Sequence, residues 1–194
     1  MDTEAATGAP ELDPRIERSR RLVMEATAEV LGDKGYGGLT VEAVAAVSGV
    51  AKSTIYRHWK GKAELVEAAM RELKPGLTVA TEGSVRDRVK GLLLEVARAV
   101  TTSTWSACLP ALIDAAERDP EARALHIRTA LERRQLLVQL LREGVVAGEL
   151  PADTNTELLS EALVGPIFMR RLFVREAFAE DEAEALVALA FGRD

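Results

Sequence analysis

Residues 39–65 read LTVEAVAAVSGVAKSTIYRHWKGKAEL, and this stretch decides the fold. Thr40 is a helix N-cap, and Val41, Val44 and Ala45 give the helix after it an apolar side. Ser48-Gly49-Val50 breaks that helix, and a second short one runs from Lys52 to Trp59. Helices that cross at a tight turn need a small residue at the crossing, and Ala45 and Ser48 supply it. The turn also needs a residue that tolerates positive φ, which is Gly49. Val44, Val50, Ile55 and Trp59 are spaced to face one core. That leaves Lys52, Ser53, Thr54, Tyr56, Arg57 and His58 on the outer face. They are hydrogen-bonding and cationic groups suited to phosphates and base edges. A plain solvated helix face is the competing reading. The first amides of the second helix add a positive dipole end.

Outward from this pair the chain reads as helices. Upstream, Asp13-Pro14 is an N-cap followed by proline at the first helical position, with Ile16, Val23, Ala26 and Val30 at helical spacing. The run Gly32, Gly35, Gly37 and Gly38 ends that helix. Downstream, Gly61 is a break, and Lys62 begins a helix with Leu65, Val66, Ala69 and Leu73 on one side, stopped at Pro75-Gly76. Ser84 and Asp87 fit a capping box before Val89, Leu92, Leu93 and Val96. Pro110 is expected to interrupt the region after Trp105. Asp119-Pro120 repeats the cap-plus-proline start and opens a segment to Gly144. Residues 153–177 are expected to be helical with a kink at Gly165-Pro166, and 181–190 form a last short helix. There is no strand alternation and no internal repeat, and aromatic residues are only 4% of the chain, so the fold class is all-α.

The 194 residues allow one large domain or two small ones. Hydrophobic residues at 47% and charged residues at 29% mark a globular chain. A single cysteine, Cys108, rules out an intrachain disulfide and a cysteine-rich metal module. Residues 1–13 are small and acidic, without the basic and apolar regions of a signal peptide, and are expected to be a disordered tail. No apolar run is long enough for a membrane span, so the expected compartment is the cytoplasm. The net charge of −6 is unevenly placed. Residues 14–62 hold nine Lys/Arg against five acids, while the rest of the chain is acidic. A basic head on an acidic body suits a DNA-binding module. Two histidines and one cysteine leave no nucleophile–base pair and no metal-ligand spacing, so no catalytic residue, metal or cofactor is expected.

The run from Thr40 to Leu65, above all the string TIYRHW with Lys62 three residues after Trp59, closely resembles the DNA-binding segment of the TetR (tetracycline repressor-like) family of bacterial regulators. LPALIDAAERDPEARAL, LREGVVAGEL and ALVGPIFMRRLF resemble one subgroup of its regulatory domains. Departures are small: Ser48, Ile55 and Trp59 stand where Ala, Leu and Phe are commonest. The resemblance implies about nine helices, with a three-helix head over 14–61 and a regulatory and dimerisation part over 62–194. It implies a homodimer that binds a palindromic duplex operator, mostly as a repressor, and that a small-molecule effector releases. Tyr56 and His58 then suit phosphates, Lys52 and Arg57 suit phosphates or bases, Thr40 caps its helix or also meets phosphate, and Lys62 meets phosphate. Trp105, Cys108, Leu112, His126, Phe168 and Met169 are candidates to line the effector pocket, with ordinary core packing as the alternative. The stretch from Ala162 to Val174 is apolar almost all round and must be covered on more than one side. Leu159, Leu163, Ile167 and Leu186 are the candidates for a dimer interface there. A helical dimer that acts through protein partners without DNA is the alternative function. The polar, cationic face of the second short helix argues against it.

Overall fold

Pro14 has a fixed φ and no N–H to satisfy, and it stands first in α1 (Pro14–Gly38). The computed structural model describes residues 14–192, so the expected Asp13 cap and the expected tail lie outside the described residues. Val23, Met24, Val30 and Leu31 bury the inner face of α1. The glycine run ends the helix through a break at Gly35, where φ is 67° and ψ is 175°.

The next two helices are α2 (Val41–Ser48) and α3 (Lys52–His58). Thr40 accepts a hydrogen bond from the Ala43 amide at 3.1 Å and so caps α2 as expected. Gly49 ends α2 in the left-handed region at φ 68°, its N–H bonded to the Ala45 carbonyl at 3.1 Å. Val44 and Ile55 are fully buried between the two helices and α1, and Trp59 closes the end of α3. The helix α4 (Lys62–Glu72) then leaves this group, and residues 73–84 form a non-helical connection.

The rest of the chain is α5 (Val85–Thr102), α6 (Thr104–Ala107), α7 (Leu109–Arg118), α8 (Pro120–Val146), α9 (Thr156–Met169) and α10 (Glu180–Phe191). That makes ten α-helices and no strand among the described residues, in line with the all-α expectation of about nine. The extra one comes from the region of Trp105. The interruption falls at Ser103 and Cys108 rather than at Pro110. Pro110 sits in the first turn of α7, where its missing N–H costs no bond. Asp119 caps α8 by accepting from the amides of Glu121 and Ala122. The start of α5 is capped twice. Ser84 accepts from the Asp87 amide, and Glu149, far along the chain, accepts from the amides of Val85 and Arg86 at 2.9 and 3.0 Å. Gly144 allows this approach, because a Cβ there would lie 3.2 Å from Leu150 and Val85.

The ninth helix starts later than expected, at an Asn155 cap, and does not reach residue 177. Pro166 stays within it. The loosening comes after Met169, where the Arg175 amide bonds back five residues to the Arg170 carbonyl at 2.7 Å. Arg86 and Lys90 of α5 hold α10 through Glu184, at 2.7 and 3.0 Å. In the packed molecule α1 meets α2, α4 and α7, α5 meets α8 and α10, and α8 meets α7 and α9.

Candidate functional site

Two features stand out: the outer face of α3 and a cavity among α4, α5, α7, α8 and α9. On α3 the apolar side is spent on Ile55, so the other side chains turn outward. Lys52, Ser53, Tyr56, Arg57 and His58 are exposed and Thr54 is half-buried. Tyr56 is half exposed, at 50%, a large share for a bulky ring on a short helix. Thr40, at the start of α2, is exposed beside them. Lys52 pairs with Glu42 at 3.6 Å, with both side chains more than half exposed. Such a surface pair contributes little and opens readily for a phosphate. The His58 ring leans on Trp59, with centroids 5.5 Å apart.

Lys62 is placed differently. Its ammonium donates to the Tyr36 carbonyl at 3.4 Å and lies 4.4 Å from the Tyr36 ring, so it is turned towards the end of α1. Glu64 occupies the first turn of α4 and accepts from the Lys60 amide. Arg20 is also engaged, with Glu72 and with the face of Trp59.

The cavity measures about 450 Å³. Leu92, Leu93 and Val96 of α5 form one wall, and Leu112 and Leu125 another. Val164 and Phe168 of α9 line it from a third side, and Met70 and Lys74, at the end of α4 and just beyond it, from a fourth. Of the expected lining residues, Trp105, Leu112, His126 and Phe168 are there. Two are not. Cys108 is fully buried away from the cavity, its Sγ 3.4 Å from the Ala28 carbonyl, and burial pushes its thiol up to about 11. Its place is where α7 meets α1. Met169 is more than half exposed because it lies on the outer side of α9.

Sequence reasoning missed Arg133. It lies on the stripe of α8 that also carries His126, Thr129 and Leu137, and that spacing was the available signal. Its guanidinium carbon sits 3.2 Å from the centre of the Trp105 ring. Burial pushes the Arg133 guanidinium down to about 10. Burial and the neighbouring Arg133 cation hold His126 below the ordinary histidine value.

Leu163 and Ile167, expected at a dimer interface, are 2% and 1% exposed within the single chain. They belong to its own core, because they lie on the side of α9 that faces the other helices. Leu159 and Leu186 are half-buried against the same core. The large apolar residues that α9, the turn after it and α10 leave exposed are Leu158, Met169, Phe173, Val174 and Leu189, with Phe173 76% and Leu189 83% exposed.

Residues 23–69 match the bacterial regulatory proteins of the tetR family, and residues 79–190 match the tetracyclin repressor-like C-terminal domain. The chain belongs to the TetR family. Among its curated relatives are two uncharacterized HTH-type transcriptional regulators. YdeS of Bacillus subtilis is 28% identical over 92% of this chain and 90% of its own. Rv1556 of Mycobacterium tuberculosis is 28% identical over 95% of this chain and 91% of its own. The solved structure of the TetR family transcription regulator SCO0332 superposes with a TM-score of 0.68 at 28% identity, over 91% of this chain and 99% of that one. As a TetR-family member the chain is a helix-turn-helix transcriptional regulator, from a family of regulators and not of enzymes. No helix among the described residues is long and apolar enough to cross a membrane.

Proposed function

We propose that this regulator is a cytoplasmic homodimer that binds a palindromic DNA operator as a repressor and is released by a small molecule held in the cavity. The head is residues 14–61 and the regulatory and dimerisation part is residues 62–194. Thr40, Lys52, Ser53, Thr54, Tyr56, Arg57 and His58 meet the duplex, with α3 in the major groove. Lys62 joins them only if its ammonium swings away from Tyr36.

The observation that carries this reading is the position of α4. Lys62, at its start, packs on the head at Tyr36, while Met70, in its last turn, lines the cavity. Eleven residues span only ~16 Å, so one rigid helix joins both features. A second link runs through α9. Val164 and Phe168 line the cavity while Leu158 and Met169 face outward from the same helix, on the surface we assign to the second protomer. A ligand that tilts α4 or shifts α9 alters the distance between the two recognition helices. It does so only if it binds the DNA-incompetent arrangement more tightly, since equal affinity shifts nothing.

Selection from a random duplex library tests the reading. Enrichment of a palindrome whose half-sites lie about one helical turn, ~34 Å, apart is the expected result. No enrichment from folded, dimeric protein freed of copurified small molecules would overturn it.

A further inference from the structure

The cavity walls are apolar, yet the free polar groups on them are cations and donors. Lys74 and Arg133 reach the cavity with no ion pair to any described residue. Arg134 also lines it, but Glu157 and Glu161 hold it, the former at 3.2 Å. Glu161, more than half exposed, is the only carboxylate among the lining residues, so Arg134 already uses it. The hydroxyls on the lining are also committed. Thr129 donates to the Leu125 carbonyl at 2.9 Å, and Ser160 to the Glu157 carbonyl at 2.6 Å. The second imidazole of the chain, His126, lies beside Arg133, whose cation together with burial holds it below the ordinary histidine value.

Arg133 is therefore a half-buried guanidinium without a counter-ion in an apolar surround. Groups of this kind are costly unless an anion answers them. The ring of Trp105 takes one face of the guanidinium and fixes its plane. The edge of the fork, with its parallel N–H groups, stays available, and that edge matches a carboxylate in a bidentate pair.

We infer that the effector is an amphipathic carboxylic acid, with its carboxylate on the edge of the Arg133 guanidinium and its apolar body between Leu92, Val96, Leu112 and Phe168. Lys74, at the mouth near the end of α4, adds long-range attraction for the same charge. The inference rests on the proposal that the cavity is the effector site. The head group of such a ligand contacts α8, and its body reaches Met70 on α4.

The test uses the full chain with three acids, octanoate, decanoate and 4-phenylbutyrate, each beside the primary alcohol and primary amide of the same carbon skeleton. Binding is read by calorimetry and by displacement of an anilinonaphthalene sulfonate dye. The acids are expected to bind at least tenfold more tightly than their alcohols and amides. In Arg133→Met the acids should fall to the level of the alcohols, while the alcohols bind as before or better. Arg133→Lys keeps the charge without the fork and should fall in between. A melting curve for each variant separates loss of the ligand from loss of the fold, and Arg133→Gln replaces Arg133→Met should the latter not fold. Equal binding of acids and alcohols to the native chain would overturn the anionic assignment and leave the cavity as an effector site. Undiminished acid binding in a folded Arg133 variant would do the same. Binding of none of the nine probes would overturn the cavity reading together with it.

Discussion

At the scale of single residues, the proposed reading puts recognition on the outer face of α3. Arg57 is exposed in the last turn of α3 and makes no contact that the fold requires. Arg57→Ala should weaken binding to the selected duplex by ~1–3 kcal/mol, read by fluorescence anisotropy, with an unchanged melting temperature. Normal affinity would remove Arg57 from the interface. Gly49 tests the opposite kind of residue, which acts on the fold alone. Its φ of 68° is reached freely only without a Cβ, and nothing within 4 Å would obstruct one. Gly49→Ala should therefore cost about 1–2 kcal/mol from backbone strain alone, read by denaturant unfolding. A neutral change would mean that the turn relaxes. Residue by residue, the head was legible in the sequence because its requirements are local: a cap, a small crossing residue, a positive-φ turn and an apolar stripe. Arg133 was not legible as a pocket residue. Its meaning depends on Trp105, twenty-eight positions away, and on its forming no ion pair with a described residue although Glu132 precedes it, and neither is a local property.

At the scale of elements, α9 shows what periodicity can and cannot convey. An apolar run that wraps the helix says that two sides need cover, and within the single chain one side is buried while the other stands exposed. It does not say which residues face which side. Leu163 and Ile167 look inward, while Leu158, Met169 and Phe173 look outward, because the phase of the helix is set by its contacts with α5 and α8. The interface prediction therefore moves to the outward set. Leu189, on α10, is 83% exposed in the single chain, so a charge there leaves the protomer core intact. Leu189→Glu should give folded monomers by sedimentation velocity, because a buried carboxylate at a dimer centre has no partner. A full-strength dimer would place the interface elsewhere. The same limit explains the helix ends. Pro110 and Asp153 are start or stop signals in sequence. The helices themselves begin elsewhere: α7 starts at Leu109 with Pro110 in its first turn, and α9 starts after Asn155, which accepts from the Leu158 amide.

At the scale of the whole molecule, the account is mechanical. In the proposed reading a basic three-helix head is carried by α4, whose far end touches an apolar cavity with an unpaired guanidinium in its wall. The charge distribution suits that reading, since an acidic body would repel a duplex that a basic head would attract. In the proposed dimer, two such heads fixed by one interface would read only half-sites at one separation and on one side of the duplex. The most direct measurement is the affinity of the full chain for the selected palindrome, compared with the same palindrome carrying five extra base pairs at its centre. Five pairs turn one half-site by about half a helical turn, given ~10.5 base pairs per turn. The account predicts a loss of affinity towards that of random duplex, with single half-site binding left at most. Undiminished affinity across the insertion would contradict it, because the two heads would then bind independently.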